Sequence, residues 1–154
     1  MTTRRLFLIG IAALAFLGLG TLAAIFLPDA PSSQGPRLAT TEELEDRGVI
    51  EVAEHDIFVV WNDGEPLVLS ADAQHVGDDV VWCESSQMFE SPAHGEKFDS
   101  RGYYYGGPAR AGLGRYAYSV IDGVIYRESE EPTPGPSRGR GPAQDPEGPF
   151  CVPT

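Results

Sequence analysis

The triplet Asn62-Asp63-Gly64 separates two runs, IFVVW at residues 57–61 and PLVLS at residues 66–70, both rich in β-branched and aromatic side chains. A two-residue Asp-Gly connection takes positive φ at both central positions. That geometry matches the twist of an antiparallel pair, so the segment predicts a β-hairpin. Asp122-Gly123, between RYAYSV and VIYR, predicts a second hairpin. Further short runs, VIEVA, DVVWC and YYYGG, occur between residues 49 and 107. An all-β domain spanning residues 38–128 follows, an antiparallel sandwich or barrel with no second domain and no internal repeat. A domain this short is near the lower size at which a core suffices alone. Trp61, Trp82, Phe58, Phe98 and Tyr116 are the expected bulk of that core, because each buries a large area. Ahead of the strands, Thr40 followed three residues later by Glu43 is a capping-box pattern, and Gly48 is a plausible stop, so one short helix is expected.

The flanks have a different composition. Residues 6–27 are uncharged and mostly apolar. At 1.5 Å per residue such a run crosses a hydrocarbon core about 30 Å thick. Residues 1–27 therefore read as a transmembrane signal-anchor, with a cleaved signal as the alternative. Arg4 and Arg5 precede the run, which places the N-terminus in the cytoplasm and the β domain outside a single-pass cell-membrane segment. TRRLFL also resembles a twin-arginine export address. Residues 28–37 form a Pro/Ser/Gly linker. Residues 129–154, with seven Pro and four Gly, read as a disordered tail, because they offer too little apolar surface to offset ordering entropy.

Charge narrows the partners. Beyond Arg4 and Arg5 the chain carries all 23 acidic residues against nine basic ones. That balance repels nucleic acid and anionic head groups. It leaves the membrane, through the N-terminal helix, and an envelope protein as expected partners. The two cysteines, Cys83 and Cys151, lie in the exported part, where an oxidising compartment permits a bridge. A free or intermolecular thiol is the rival reading.

Two stretches carry the chemistry: ADAQHVGDDVVW at residues 71–82 and FESPAHGEKFDSRGYYYGGPARAGL at residues 89–113. His-Val-Gly, Pro-x-His-Gly, Phe-Asp and Gly-Pro-Ala recur there in an order and spacing that resemble the Rieske [2Fe–2S] domain, over roughly residues 50–126. The resemblance implies a small all-β fold and electron transfer through a cluster held by two thiolates and two imidazoles. His75 and His94 match the imidazole positions. Ala73 and Ser91 stand at the thiolate positions, so both sulfur ligands are gone. Asp78 and Ala93 replace the cysteines that tie the loops in many Rieske domains, and Glu96 replaces a Ser that often donates a hydrogen bond to the cluster.

Alanine offers no lone pair and serine is a poor iron–sulfur ligand, so the expected cofactor is none, although the resemblance implies [2Fe–2S]. His75, His94, Cys83 and Cys151 together count four donors, but neither cysteine lies in a tight loop. A mononuclear zinc or similar ion on His75, His94 and Asp78 is a second possibility. The plainer reading has both histidines packing the loops through hydrogen bonds. Tyr103, Tyr104 and Tyr105 lie near the tip and offer an interaction surface, with at least one turned inward by strand alternation. No nucleophile–base pair or phosphate cradle is present, so no catalytic residue is assigned. The expected function is a non-catalytic structural or interaction subunit of an envelope redox or respiratory assembly. The alternative is a Rieske-type electron carrier. The family's link to oxidoreductases does not by itself make this chain an enzyme.

Overall fold

Ten strands and one α-helix are laid out in three antiparallel sheets in the computed structural model, which describes residues 34–73 and 77–153. The expected anchor at residues 1–27 lies outside the described residues. Among the described residues no helix is long and apolar enough to cross a membrane. The first sheet pairs β1 (Arg37–Thr40), β10 (Val124–Arg127) and β9 (Tyr118–Ile121) in that order. The second runs β2 (Val49–Val52), β3 (Ile57–Asn62), β4 (Glu65–Ser70). The third runs β5 (Val81–Cys83), β6 (Met88–Glu90), β7 (Lys97–Asp99), β8 (Tyr104–Gly106).

Local chemistry explains the turns and the helix. Asn62 pairs with Glu65 across Asp63 (φ 50°) and Gly64 (φ 89°), and Ile121 pairs with Val124 across Asp122 and Gly123 in the same way. Both are two-residue hairpin loops of the kind Asp-Gly favours. Helix α1 (Thr41–Arg47) starts where Thr40 Oγ1 accepts the Glu43 N–H at 3.1 Å and stops at Gly48. Only half of the capping box forms. The Glu43 carboxylate turns to Arg47, one helical turn on, at 3.5 Å.

The second sheet is buried on both faces, which is why β3 shows no alternation of polar and apolar residues. Phe58 and Val60 enter one core cluster with Leu69, Ala73, Phe89, Phe98 and Leu113. Ile57 and Val59 enter the other, with Leu38, Leu44, Ile50, Val68 and Ile125. Of the expected aromatic core, Phe58 and Phe98 are fully buried, whereas Trp61, Trp82 and Tyr116 lie at its margins. Phe89 takes the central place, its ring 4.8 Å from Phe58 and 4.9 Å from Trp82.

The C-terminal residues correct the expectation of a disordered tail. Residues 34–153 form one unit, and the last 25 run over it as a strap. Thr133 exchanges both backbone hydrogen bonds with Arg115, and Pro136 accepts the Gly112 N–H at 2.8 Å. The buried Asp99 carboxylate accepts the Gln144 N–H at 3.0 Å. The strap ends in a disulfide between Cys151 and Cys83, which decides the bridge in favour of an intramolecular one. Composition misleads here because the strap is held by its backbone and one covalent bond rather than by apolar area. Its prolines also leave less unfolded-chain entropy to lose.

The strongest hold is Glu90. Its carboxylate is wholly buried and accepts the Ser86 hydroxyl at 2.7 Å and the N–H groups of Cys151 and Val152 at 3.3 and 2.7 Å. Lys97, directly opposite on β7, places its ammonium 3.4 Å from Glu90 and 3.2 Å from the Val152 carbonyl. Burial alone raises the Glu90 pKa. The Ser86 hydroxyl, the two strap N–H groups and the Lys97 charge outweigh it and hold the carboxyl below its ordinary range. Folding therefore favours the carboxylate. That contribution is complete above the unfolded value near about 4.3 and is lost as pH falls through the lower folded value.

Glu90→Gln leaves Lys97 and the strap without their anion. It should lower unfolding free energy at pH 7 by about 3 kcal/mol and flatten the acid limb of the stability profile, measured by urea denaturation between neutral pH and pH of about 3. Phe89→Ala should cost about 3–5 kcal/mol in the same assay, from lost burial plus the cavity left between Phe58 and Trp82.

Candidate functional site

Two loops emerge next to the third sheet. The first, residues 71–80, joins β4 to β5; the second, residues 91–96, joins β6 to β7. They share one backbone device. In the first, the Ala73 carbonyl accepts the Gly77 N–H at 3.2 Å and the Ala73 N–H donates to Asp78 O at 2.9 Å. In the second, the Ser91 carbonyl accepts the Gly95 N–H at 3.0 Å and the Ser91 N–H donates to Glu96 O at 2.9 Å. Ala73 corresponds to Ser91, Gly77 to Gly95 and Asp78 to Glu96.

A third segment braces the second loop. Gly107 has φ +92°, and a Cβ there would lie 2.7 Å from Glu96 Cα and 2.9 Å from Gly95 O. Only glycine permits that approach. The Tyr104 hydroxyl donates to the Gly107 carbonyl at 2.6 Å, and Ala109 is fully buried behind it. Of the three tyrosines, Tyr105 is the exposed one and its ring lies tilted against Phe150 of the strap, centroids 6.1 Å apart, while Tyr104 packs against the core.

The two loops meet through a side-chain contact: His94 Nδ1 touches Asp78 Oδ2, and both side chains are partly exposed. The structure thus brings together two of the three residues expected to bind a metal. His75 lies outside the described residues. Ala73 is buried in the core cluster beside Phe89 and Phe98, and its methyl is a packing group. Ser91 is also fully buried, and its hydroxyl oxygen accepts the His94 N–H at 3.2 Å within its own loop. Glu96 is wholly buried too, and neither carboxylate oxygen has a hydrogen-bond partner. At the stem of the first loop Asp72 faces Asp79 across an isolated bridge. Burial first, then the charges of Asp79 and Asp56, push its carboxyl up.

A cleft of about 460 Å³ opens beside His94. Pro92, Ala93 and Gly95 line it with Gly107, and Val152 and Pro153 of the strap close one side. Sequence reasoning missed this wall and the Glu90–Lys97 pair behind it. Cys151 was the one signal that the last residues dock at all. Cys83 and Cys151 also lie near Glu90, their ligand atoms all within 4.8 Å of one another, but both sulfurs are spent in the disulfide.

No family model matches this chain, and no curated protein does. Solved structures do. The cyanobacterial plasma membrane Rieske protein PetC3 from Synechocystis matches at 26% identity and TM-score 0.52, over 61% of this chain and 99% of that one. The ferredoxin of carbazole 1,9a-dioxygenase from Nocardioides aromaticivorans matches at 22% identity and TM-score 0.44, over 61% of this chain and 96% of that one. A hyperthermophilic respiratory Complex III chain matches at 20% identity and TM-score 0.49, over 76% of this chain and 97% of that one. The fold is Rieske-like.

A Rieske cluster needs two thiolates and two imidazoles. The described residues do not fit it. Ala73 and Ser91, which the sequence resemblance matches to the thiolates, carry no sulfur, and both cysteines of the chain are joined to each other.

Gly107→Ala should force the second loop away from its brace. The expected loss is about 2 kcal/mol or more, since the new methyl meets backbone and the φ is unfavourable, together with a shifted His94 ring resonance by NMR. An unmoved resonance and unchanged stability would show that the brace is slack.

Proposed function

We propose that this Rieske-like domain is a non-catalytic structural or interaction subunit of an envelope redox or respiratory assembly, exported and held at the cell membrane by residues 1–27. The fold supports an association with electron transfer. The donor set argues against a cluster in this chain. One observation carries the reading: the side chains at the two thiolate positions, Ala73 and Ser91, are fully buried as a packing methyl and an internally bonded hydroxyl. Among the described residues the second loop presents Pro92, Ala93 and His94 outward, and the first presents Asp72, Gly77 and Asp79. A surface of that kind suits protein docking rather than chemistry, and the strong negative charge selects against nucleic acid.

The contact between His94 and Asp78 favours a second reading, a mononuclear zinc or similar ion on His75, His94 and Asp78. Here an imidazole and a carboxylate already stand together, while His75 enters on its sequence position alone.

Metal and acid-labile sulfide analysis of the purified full-length chain, with a visible spectrum, separates the readings. The docking subunit should show neither stoichiometric iron nor sulfur-to-iron absorption. Ala73→Cys combined with Ser91→Cys should gain both on reconstitution with iron and sulfide. Stoichiometric iron and sulfide in the wild type would overturn the proposal. One equivalent of zinc that disappears in His94→Ala would establish the second reading. A photo-crosslinker placed at Ala93 should capture a discrete membrane protein from native membranes; one placed at the exposed Glu45 of α1 should not.

A further inference from the structure

We propose that the Cys83–Cys151 disulfide is a thiol-exchange site that latches the end of the strap beside the loop of His94, so that its redox state sets one wall of the cleft. The inference goes beyond the docking reading and does not depend on it.

The two sulfurs have unequal surroundings. Cys83 is fully buried at the end of β5, whereas Cys151 is exposed. An incoming thiolate therefore reaches Cys151 Sγ and displaces Cys83. Ser85 Oγ lies 3.3 Å from Cys83 Sγ, so the released thiol keeps a hydrogen-bond partner in its buried site. The reaction needs a dithiol reductant. One of its thiolates attacks Cys151 Sγ, a mixed disulfide forms, the Cys83–Cys151 bond breaks and Cys83 takes up a proton. The second thiolate of the reductant then attacks its own sulfur in the mixed disulfide and releases Cys151, which also takes up a proton. The dithiol loses two electrons and two protons, and each cysteine gains a hydrogen.

The geometry gives this exchange a local consequence. Cys151 immediately precedes Val152 and Pro153, which line the cleft together with Pro92, Ala93 and His94. Upstream, the Glu147 N–H is fixed to Ser86 O at 3.0 Å, and Gly148 sits against the Ser85 carbonyl. The segment that depends on the bridge is therefore residues 149–153. With the bridge cut, its remaining holds are the Glu90–Lys97 pair, through the N–H groups of Cys151 and Val152 and the Val152 carbonyl, the Ser85 hydroxyl on Pro149 O, and the Phe150 ring against Lys97 and Tyr105. Those are reversible non-covalent contacts, and local opening of such a short terminal segment needs no loss of the core.

The test is hydrogen–deuterium exchange by mass spectrometry on the full-length chain in detergent micelles, oxidised and after treatment with dithiothreitol. Peptides covering residues 149–153 should exchange at least about tenfold faster when reduced. The loop at 91–95 should change with them, and β3 and β4 should not. Cys151→Ser without reductant should reproduce the reduced pattern. Three results would overturn the latch: a disulfide that resists dithiothreitol in the native state, equal protection of 149–153 in both states, or faster exchange throughout the core strands. The last would make the bridge a staple for the whole domain rather than a local closure.

Discussion

The buried pair of Glu90 and Lys97 sits at the two ends of the second loop, opposite each other where β6 gives way to it and β7 resumes. Its position couples two parts of the molecule that have no sequence proximity. Toward the loop, the pair closes the stem from which Ser91 to Glu96 project. Toward the strap, the carboxylate gathers two backbone N–H groups and the ammonium takes the Val152 carbonyl. A buried charge left unpaired is far more costly than one that is paired and hydrogen-bonded. The strap and the stem therefore need each other: the strap satisfies the pair, and the pair gives a proline-rich segment a reason to order.

Above that pair the loops hold their form through their own backbone. The shape of each loop resides in main-chain bonds, Gly77 to Ala73 and Gly95 to Ser91, with a return bond to residue 78 or 96. None of those bonds involves a side chain, so the scaffold is indifferent to whether position 73 or 91 carries sulfur. What differs is where the side chains go. The Ala73 methyl joins the aromatic cluster, and the Ser91 hydroxyl folds back on the His94 N–H. The link between the loops passes instead to Asp78 and His94. Glu96 remains the costly member, a fully buried carboxylate without a hydrogen-bond partner, and its burial beneath Gly107 ties the third segment to the second loop.

How much of this was legible in the sequence depended on how local each feature is. The hairpins at Asp63-Gly64 and Asp122-Gly123 and the Thr40 cap are set by φ preferences and by donors within three residues, and the sequence shows them directly. The Rieske-like arrangement of the loops was legible as a motif. β1 was not read as a strand, although only its first residue fell in the expected linker, because RLAT becomes a strand only by pairing with β10 at the far end of the domain. β6 and β7 were obscured because Glu90 and Lys97 break the apolar pattern; each is buried only because the other is present. The strap was misjudged for a related reason. Pro and Gly content measures apolar area that can be buried, but backbone bonds to Asp99 and Glu90 do not register in composition. The disulfide was legible as a possibility and not as a choice, since nothing local to Cys151 says that residue 90 lies beneath it.

A Rieske-like domain without thiolates raises the question of why the loop end persists in so complete a form. Packing supplies an answer that needs no iron. Ala73 and Val80 from the first loop, and Ala109 from the third segment, are part of the same core cluster as Phe58, Phe89 and Phe98. Flattening the loops would uncover one end of that cluster, and each large aromatic there contributes kilocalories rather than tenths. The loops are therefore the lid of the core before they are anything else. Their outer edge is free to vary, and here it carries Pro92, Ala93 and His94 next to the strap. That edge lies beside Gly107 and Val152, which line the same cleft. Its ordering cost is already met by the core below and by the strap, so a partner that lands on it would not have to supply that cost again.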